Sequence, residues 1–354
     1  MAAITGAYGF RLAARGQPLV RQELPALEPA PDEVVVRVAG CGVCHTDIGF
    51  AYDGVSTRHP LPLVLGHEIA GRVVAAGGMA AAWLGQSVLV PAVIPCGACP
   101  ACRAGRSTIC SQQFMPGNDG DGGFATHTRV PARGLCAIPD ELPAGLTLEM
   151  LSVVADAVTT PYEAIRRAEL SVDDVAVFIG VGGVGGFGVQ IAAARGAAVA
   201  AVDIDSERLE LAARHGASLT LDAKAGFKEL KSAIRSFAKQ SGRRNVGLKI
   251  FETSGTPAGQ ATAFGLLEPG SYLAVVGFTP EKVELRLSNL MALDATARGN
   301  WGCPPEHYPA ALQLVLEGKV ALGPYIERHP LAEAPRVFED VAQRRIKRRA
   351  VLVP

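Results

Sequence analysis

Residues 175–203 read VAVFIGVGGVGGFGVQIAAARGAAVAAVD. An apolar run from Val175 to Ile179 enters a glycine-dense turn, a small-residue stretch follows, and a second apolar run ends on Asp203. Short apolar runs bounded by glycine mark buried strands, and the segment between them has the length of one crossover helix. Gly180, Gly182 and Gly185 give G-x-G-x-x-G, with Gly183 and Val184 inside the pattern. The first glycine permits a tight turn, and the second lets a pyrophosphate approach the backbone. The third lets the helix lie close on the strand, with its first amides aimed at the phosphates. Asp203 stands where an acid accepts from an adenosine ribose hydroxyl, about 20 residues beyond the glycines. Its charge repels a 2′-phosphate, so the cofactor expected is NAD, although Arg208 is a cation that can serve a phosphate. A glycine turn with an unrelated surface aspartate would explain the same letters, but the strand–turn–helix–strand context favours the dinucleotide.

The run from Val175 to Ala194 has no charge and is long enough to cross a bilayer. Its six glycines gather at the turn and Gln190 interrupts the rest, so strand plus helix is the expected structure. Downstream, apolar runs (LKIFETSG, SYLAVVGF) alternate with helical patterns (SERLELAARHG, PAGQATAFGLLE) up to about residue 295. That alternation implies βα units around a parallel sheet. Upstream, EVVVRVAG, IAGRVVAAG, SVLVPAV and FATHTRVP lie between turn signals, as in an irregular β domain. The expected organisation is α/β: a β domain over 1–154 completed by 296–354, and a doubly wound nucleotide-binding domain over 155–295.

Composition agrees with a globular enzyme: 354 residues, 49% hydrophobic and 19% charged. Thirty-four basic residues balance thirty-four acidic ones, so no global field draws the chain to nucleic acid or anionic lipid. The first residues lack a charged start followed by an apolar core, so no secretory signal is evident and a cytoplasmic location is expected.

Four of the eight cysteines crowd into CGACPACRAGRSTIC: Cys96, Cys99, Cys102 and Cys110, in a C-x2-C-x2-C-x7-C array. Four thiolates close a tetrahedron round Zn²⁺ and leave no open position, so a structural zinc is expected. An iron–sulfur cluster also takes four cysteines, but the spacing and the nucleotide fold favour zinc. Further upstream, GCGVCHTD carries Cys44, His45, Thr46 and Asp47, and LGHEIAG carries His67 and Glu68. Cysteine, histidine and acid are the ligands of catalytic zinc, where three protein groups leave one position open. Cys41 and Cys44 also form C-x-x-C, a redox motif in a different fold context.

GxCHTD, GHE, four close cysteines, a glycine turn and a strand-end acid, in that order, resemble the zinc-containing medium-chain alcohol dehydrogenase family over essentially the whole chain. The resemblance implies a GroES-like β domain interrupted by a Rossmann domain, with two zinc ions and one NAD per chain. It implies Cys44 and His67 as catalytic zinc ligands, Glu68 as a neighbour able to coordinate transiently, and Thr46 as the hydroxyl receiving the alcohol proton. Asp47 would orient His67, as metal-bound imidazoles require. His45 and Arg349 would touch the cofactor pyrophosphate, and Val276, Gly277 and Phe278 would border the nicotinamide. Where the family usually has a cysteine ligand, four residues before Thr160 and six before Tyr162, this chain has Asp156 in VVADAVTTPY. A carboxylate keeps the charge of a thiolate and is a legitimate zinc ligand. A structural aspartate bonded to nearby backbone is the competing reading. Gly49 stands where many members keep a relay histidine.

MPGNDGDGGFATH and VVADAVTTPY resemble the 6-hydroxycyclohex-1-ene-1-carbonyl-CoA dehydrogenase branch, which implies a ring alcohol carried on a CoA thioester. The basic run RRIKRR, Arg344–Arg349, can hold CoA phosphates or be a solvated face. A general secondary-alcohol or polyol dehydrogenase is the alternative, and a zinc hydratase or lyase a further one. Family members commonly form dimers or tetramers, so a homo-oligomer is expected.

Overall fold

A computed structural model describes residues 3–243 and 245–354. The chain divides into two compact units: residues 1–159 with 302–316 and 326–354, and residues 160–301 with 317–325.

In the first unit β1 (Tyr8–Leu12) pairs antiparallel with β2 (Leu19–Glu23) and with β4 (Leu63–Val64). The larger sheet is built on β3 (Glu33–Gly42), β5 (Glu68–Ala76), β6 (Ser87–Val90), β7 (His127–Pro131) and β8 (Cys136–Ile138). β3 pairs with β5 through two register shifts, at Val35/Val36 and Val38/Gly40. The second irregularity brings Gly40 onto the backbone of Glu149, where a Cβ would lie 2.7 Å from the Glu149 carbonyl oxygen. That close approach admits the 3₁₀ helix Met150–Ala155, every residue of which is buried. Between the layers Phe124 meets Phe338 edge-on at 6.1 Å, inside a core that includes Leu65, Ile69 and Val337.

The second unit is a six-stranded parallel sheet: β9 (Val175–Ile179), β10 (Ala198–Asp203), β11 (Leu219–Asp222), β12 (Lys249–Glu252), β13 (Tyr272–Val275) and β14 (Thr296–Gly299). Its spatial order, β11-β10-β9-β12-β13-β14, is the 3-2-1-4-5-6 order of a dinucleotide-binding sheet. β9 is buried along its whole length, and Phe178 stacks on Phe251 at 4.7 Å. The uncharged run thus folds as strand, turn and the helix Gly185–Ala194, and no helix among the described residues is long and apolar enough to cross a membrane. The sequence reading ended this domain at 295. In the structure β14 continues the sheet in register with β13, Tyr272 opposite Thr296. Residues 317–325 also join this unit, held in part by Gln190, whose amide bonds the backbone of Ala321 in both directions.

The chain re-enters the first unit as β15 (Ile326–Pro330) and β16 (Arg349–Val353). These pair in parallel, and β16 lies antiparallel to β3 with Val351 opposite Gly42.

Candidate active site and metal centres

β3 runs between β16 and β5, with Gly42 opposite both Val351 and Glu68. Three strand ends therefore meet: Cys44 just beyond β3, His67 and Glu68 at the start of β5, and Arg349 at the start of β16. A Cβ on Gly42 would overlap the Glu68 carboxylate, so that carboxylate fits only because residue 42 is glycine. Asp156 follows the 3₁₀ helix and arrives from the side, its side chain 16% exposed.

One ligand atom from each of Cys44, His67, Glu68 and Asp156 lies within 4.8 Å of all the others. Asp156 Oδ2 is 3.8 Å from Cys44 Sγ and 3.5 Å from His67 Nε2. A tetrahedral zinc with ordinary bond lengths requires about 3.6 Å for sulfur to oxygen and about 3.3 Å for nitrogen to oxygen. The donor set fits that ion. His67 Nδ1 is 3.2 Å from Asp47 Oδ1, so the ring's other nitrogen is aimed at the cluster. Asp47 is fully buried and also accepts from the Gly66 and Cys44 amides, at 3.1 and 3.0 Å. Burial disfavours a charged imidazole, yet the Asp47 charge and hydrogen bonds with Asp156, Asp47 and Cys44 raise the His67 pKa well above its usual value. A field that draws a proton to His67 also draws a metal cation, and the two compete for the same lone pair.

Glu68 is fully buried, and burial lifts its carboxyl to about 6 against the opposing pull of Arg349. Arg349 grips it in a bidentate pair: Nε donates at 3.0 Å and Nη2 meets Oε1. The same guanidinium lies 4.0 Å from Asp156 Oδ2. Arg349, expected at the cofactor's phosphates, is 6% exposed and lies against the acids of the metal cluster. Only strand pairing brings residues 281 apart together, and no local motif signals it. Thr46 places its hydroxyl 3.6 Å from Cys44 Sγ, while His45 is exposed at the first turn of the helix His45–Ala51.

The four-cysteine lobe has the same signature. Cys99 Sγ is 3.5 Å from Cys102 Sγ and 3.7 Å from Cys110 Sγ, and Cys96 and Cys102 are 3.9 Å apart. The edge of a Zn–S4 tetrahedron is about 3.8 Å. The amides of Ala98 and Cys99 donate to Cys96 Sγ and lower its pKa, favouring the thiolate that binds metal.

In the second unit the glycine turn opens at the junction of β9 and β12, the switch point of the sheet. Gly180 has φ +86°, a Cβ there would lie 2.6 Å from Ser254 Cα, and a Cβ on Gly185 would overlap the Gly180 carbonyl. Gly182 differs, because a Cβ there would make only ordinary contact with Arg208 at 3.5 Å. The protein has room for a side chain at 182, so the glycine leaves space for a ligand. Gly183 and Val184 are half-buried beside it. Asp203 does more than its position suggested: Oδ2 accepts from the Val181 amide at 2.8 Å, and Oδ1 from Ile204 and Asp205 at 2.8 and 3.0 Å. Arg208 Nη1 stands 3.9 Å away. Beyond β13, the Val276 and Gly277 amides donate to the Glu252 carbonyl, and Phe278 is 58% exposed. Sequence reasoning missed Glu252, which is fully buried and accepts from the Ser254 and Gly255 amides at 2.8 and 3.2 Å. An acid closing an apolar strand in FETSG was its only signal.

Asp203→Ala is expected to weaken NADH binding by about 10- to 100-fold, the loss of one or two hydrogen bonds to a charged acceptor. It should also narrow the preference for NAD over NADP by removing the repelling charge. Fluorescence titration with NADH and NADPH reads both effects, and an unchanged NADH affinity would remove Asp203 from the cofactor site.

A parallel sheet with a dinucleotide turn and two zinc-competent clusters, one of four cysteines and one of cysteine, histidine and acids, defines a zinc- and nicotinamide-dependent dehydrogenase. Comparison with known proteins agrees. Residues 30–140 match the alcohol dehydrogenase GroES-like domain and residues 183–317 the zinc-binding dehydrogenase model. An alcohol dehydrogenase of Rhizobium meliloti (strain 1021) is 31% identical over 342 residues, spanning 95% of this chain and 96% of the relative. The crystal structure of galactitol-1-phosphate dehydrogenase from Escherichia coli superposes with a TM-score of 0.87 at 26% identity, covering 98% of this chain and 100% of that one. Acetophenone reductase from Geotrichum candidum in complex with NAD gives 0.84 at 25% identity, covering 98% and 97%. The chain belongs to the zinc-containing medium-chain alcohol dehydrogenase family, with two zinc ions and NAD as its cofactors.

Proposed function

We propose that the chain interconverts a secondary alcohol or polyol and its ketone with NAD, and that Asp156 is the third ligand of its catalytic zinc beside Cys44 and His67. What carries the reading is the approach of Asp156 Oδ2 to both Cys44 Sγ and His67 Nε2, with the Thr46 hydroxyl beside the thiol. When bound, zinc supplies Lewis acidity and NAD a hydride acceptor. Thr46 takes the substrate's hydroxyl proton as the carbinol carbon gives up its hydride, leaving a ketone and NADH. Gly49 has no side chain to continue that relay, so the proton leaves Thr46 through water or cofactor hydroxyls. Asp47 keeps the His67 ring in place. Arg349 neutralises Glu68, so that a thiolate and a carboxylate alone balance the divalent ion.

A second reading is a CoA-thioester alcohol as substrate, favoured by the exposed basic residues Arg344, Arg345, Lys347 and Arg348. NADH formation should be measured against secondary alcohols, polyols, polyol phosphates and cyclic hydroxyacyl-CoA thioesters. The proposal expects kcat/KM at least about tenfold higher for a free alcohol or polyol than for any thioester, a transition-state difference of about 1.4 kcal/mol. The reverse order selects the second reading, and no NADH from any of them overturns both. A homo-oligomer is also proposed: β14 is an edge strand exposed at all four residues, and such an edge invites pairing with a second copy.

A further inference from the structure

Of the four residues in the open metal cluster, Asp156 alone does not come from a strand end. Its position depends on whatever fixes the end of the helix Met150–Ala155. The last carbonyls of a helix have no partner inside it, and Ala155 is fully buried, away from water. The partner is Tyr308, 1% exposed at the start of the helix Tyr308–Leu316: its hydroxyl donates to the Ala155 carbonyl. The same hydroxyl accepts from the Ala92 amide at 3.0 Å. One buried oxygen thus ties the residue before Asp156 to the segment that follows β6. On the other side, Thr159 Oγ1 donates to the carbonyl of Asp156 at 3.4 Å. Between these two fixed points Asp156 takes φ −144° and ψ −57°, outside helix and strand alike.

We propose that Tyr308 is a positioning residue for the catalytic zinc, acting through the Ala155 carbonyl to hold Asp156 at ligand distance from Cys44 and His67. The inference rests on the reading of Asp156 as a ligand. Loss of the hydroxyl leaves a carbonyl and an amide unpaired in a dry interior, and the segment must move to recover partners. The four-cysteine cluster shares no ligand with this one, so its ion serves as the internal control.

The test is chelator-driven zinc release from the fully loaded Tyr308→Phe enzyme, followed as two separate ions, with the visible spectrum of the cobalt-exchanged catalytic site alongside. The catalytic ion is expected to leave about tenfold faster or more, as when other supports of a metal ligand are removed. Release of the four-cysteine ion should match wild type, and the cobalt spectrum should change. Wild-type release of both ions overturns the proposal, and so does equal acceleration of both, which would mark a general structural role. Should Tyr308→Phe fail to fold, 3-fluorotyrosine at 308 replaces it. Altered release of the catalytic ion alone then supports the role, and any other pattern overturns it. Asp156→Ala run in parallel separates the two claims. If it keeps both zinc ions, the ligand reading fails; if it loses one while Tyr308→Phe behaves as wild type, only the role of Tyr308 fails.

Discussion

Asp156→Ala is expected to drop zinc content from two ions per chain to one and to lower turnover by about a thousandfold or more, while NADH still binds. The magnitude follows from the Lewis acid's share of the barrier: several kcal/mol, of which about 4 corresponds to three orders of magnitude in rate. Folding should survive. Arg349, 4.0 Å from Asp156, remains bidentate on Glu68, so the substitution strands no buried cation. NADH affinity should stand because the glycine turn and Asp203 belong to the other compact unit. Elemental analysis and NADH fluorescence read the two halves of the expectation. Glu68→Gln is the companion, since Glu68 also lies in the cluster. If Glu68→Gln empties the site and Asp156→Ala does not, the ligand is Glu68. Asp156→Cys should retain the ion and part of the turnover, because a thiolate carries the same charge.

The parts legible in the sequence depended on local spacing. Gly180, Gly182, Gly185 and Asp203 lie within one βαβ unit, so their geometry follows from chain-local rules, as does the crowding of Cys96, Cys99, Cys102 and Cys110 within one loop. Cys44 and His67 were legible as ligand types, and their meeting then required only that β3 and β5 pair. What stayed hidden was set by distant pairing. Arg349 reaches Glu68 because β16 returns beside β3, and Tyr308 reaches Ala155 across 153 residues. The extension of the parallel sheet by β14 was hidden for another reason. Thr296–Gly299 is fully exposed and carries no apolar period, so nothing in its letters marks it as a strand. Asp203 shows the limit from the other side, because its position predicts a cofactor contact while its grip on the Val181 amide depends on how the glycine turn folds back over the end of β10.

Cys99→Ser removes the other zinc, with a different consequence. A serine hydroxyl does not ionise as a thiol does, so the closed tetrahedron loses a ligand that zinc requires as an anion. The lobe has little else to hold it. Between Cys96 and Cys110 only Ser107 and Thr108 are buried, and the two helices, Pro100–Arg103 and Ser107–Ile109, are each about one turn long. With almost no apolar core, folding of this segment is metal binding, and apparent zinc-binding energies of about 10 kcal/mol or more leave nothing comparable to replace it. The expected outcome is one zinc per chain and proteolytic cleavage between residues 97 and 109 at least about tenfold faster than wild type. Turnover measured promptly at low temperature should stay within about threefold of wild type, since Cys44, His67 and Asp156 share no ligand with the lobe. Unchanged zinc content would sink the structural assignment. Loss of both ions together would mean that the two centres are coupled.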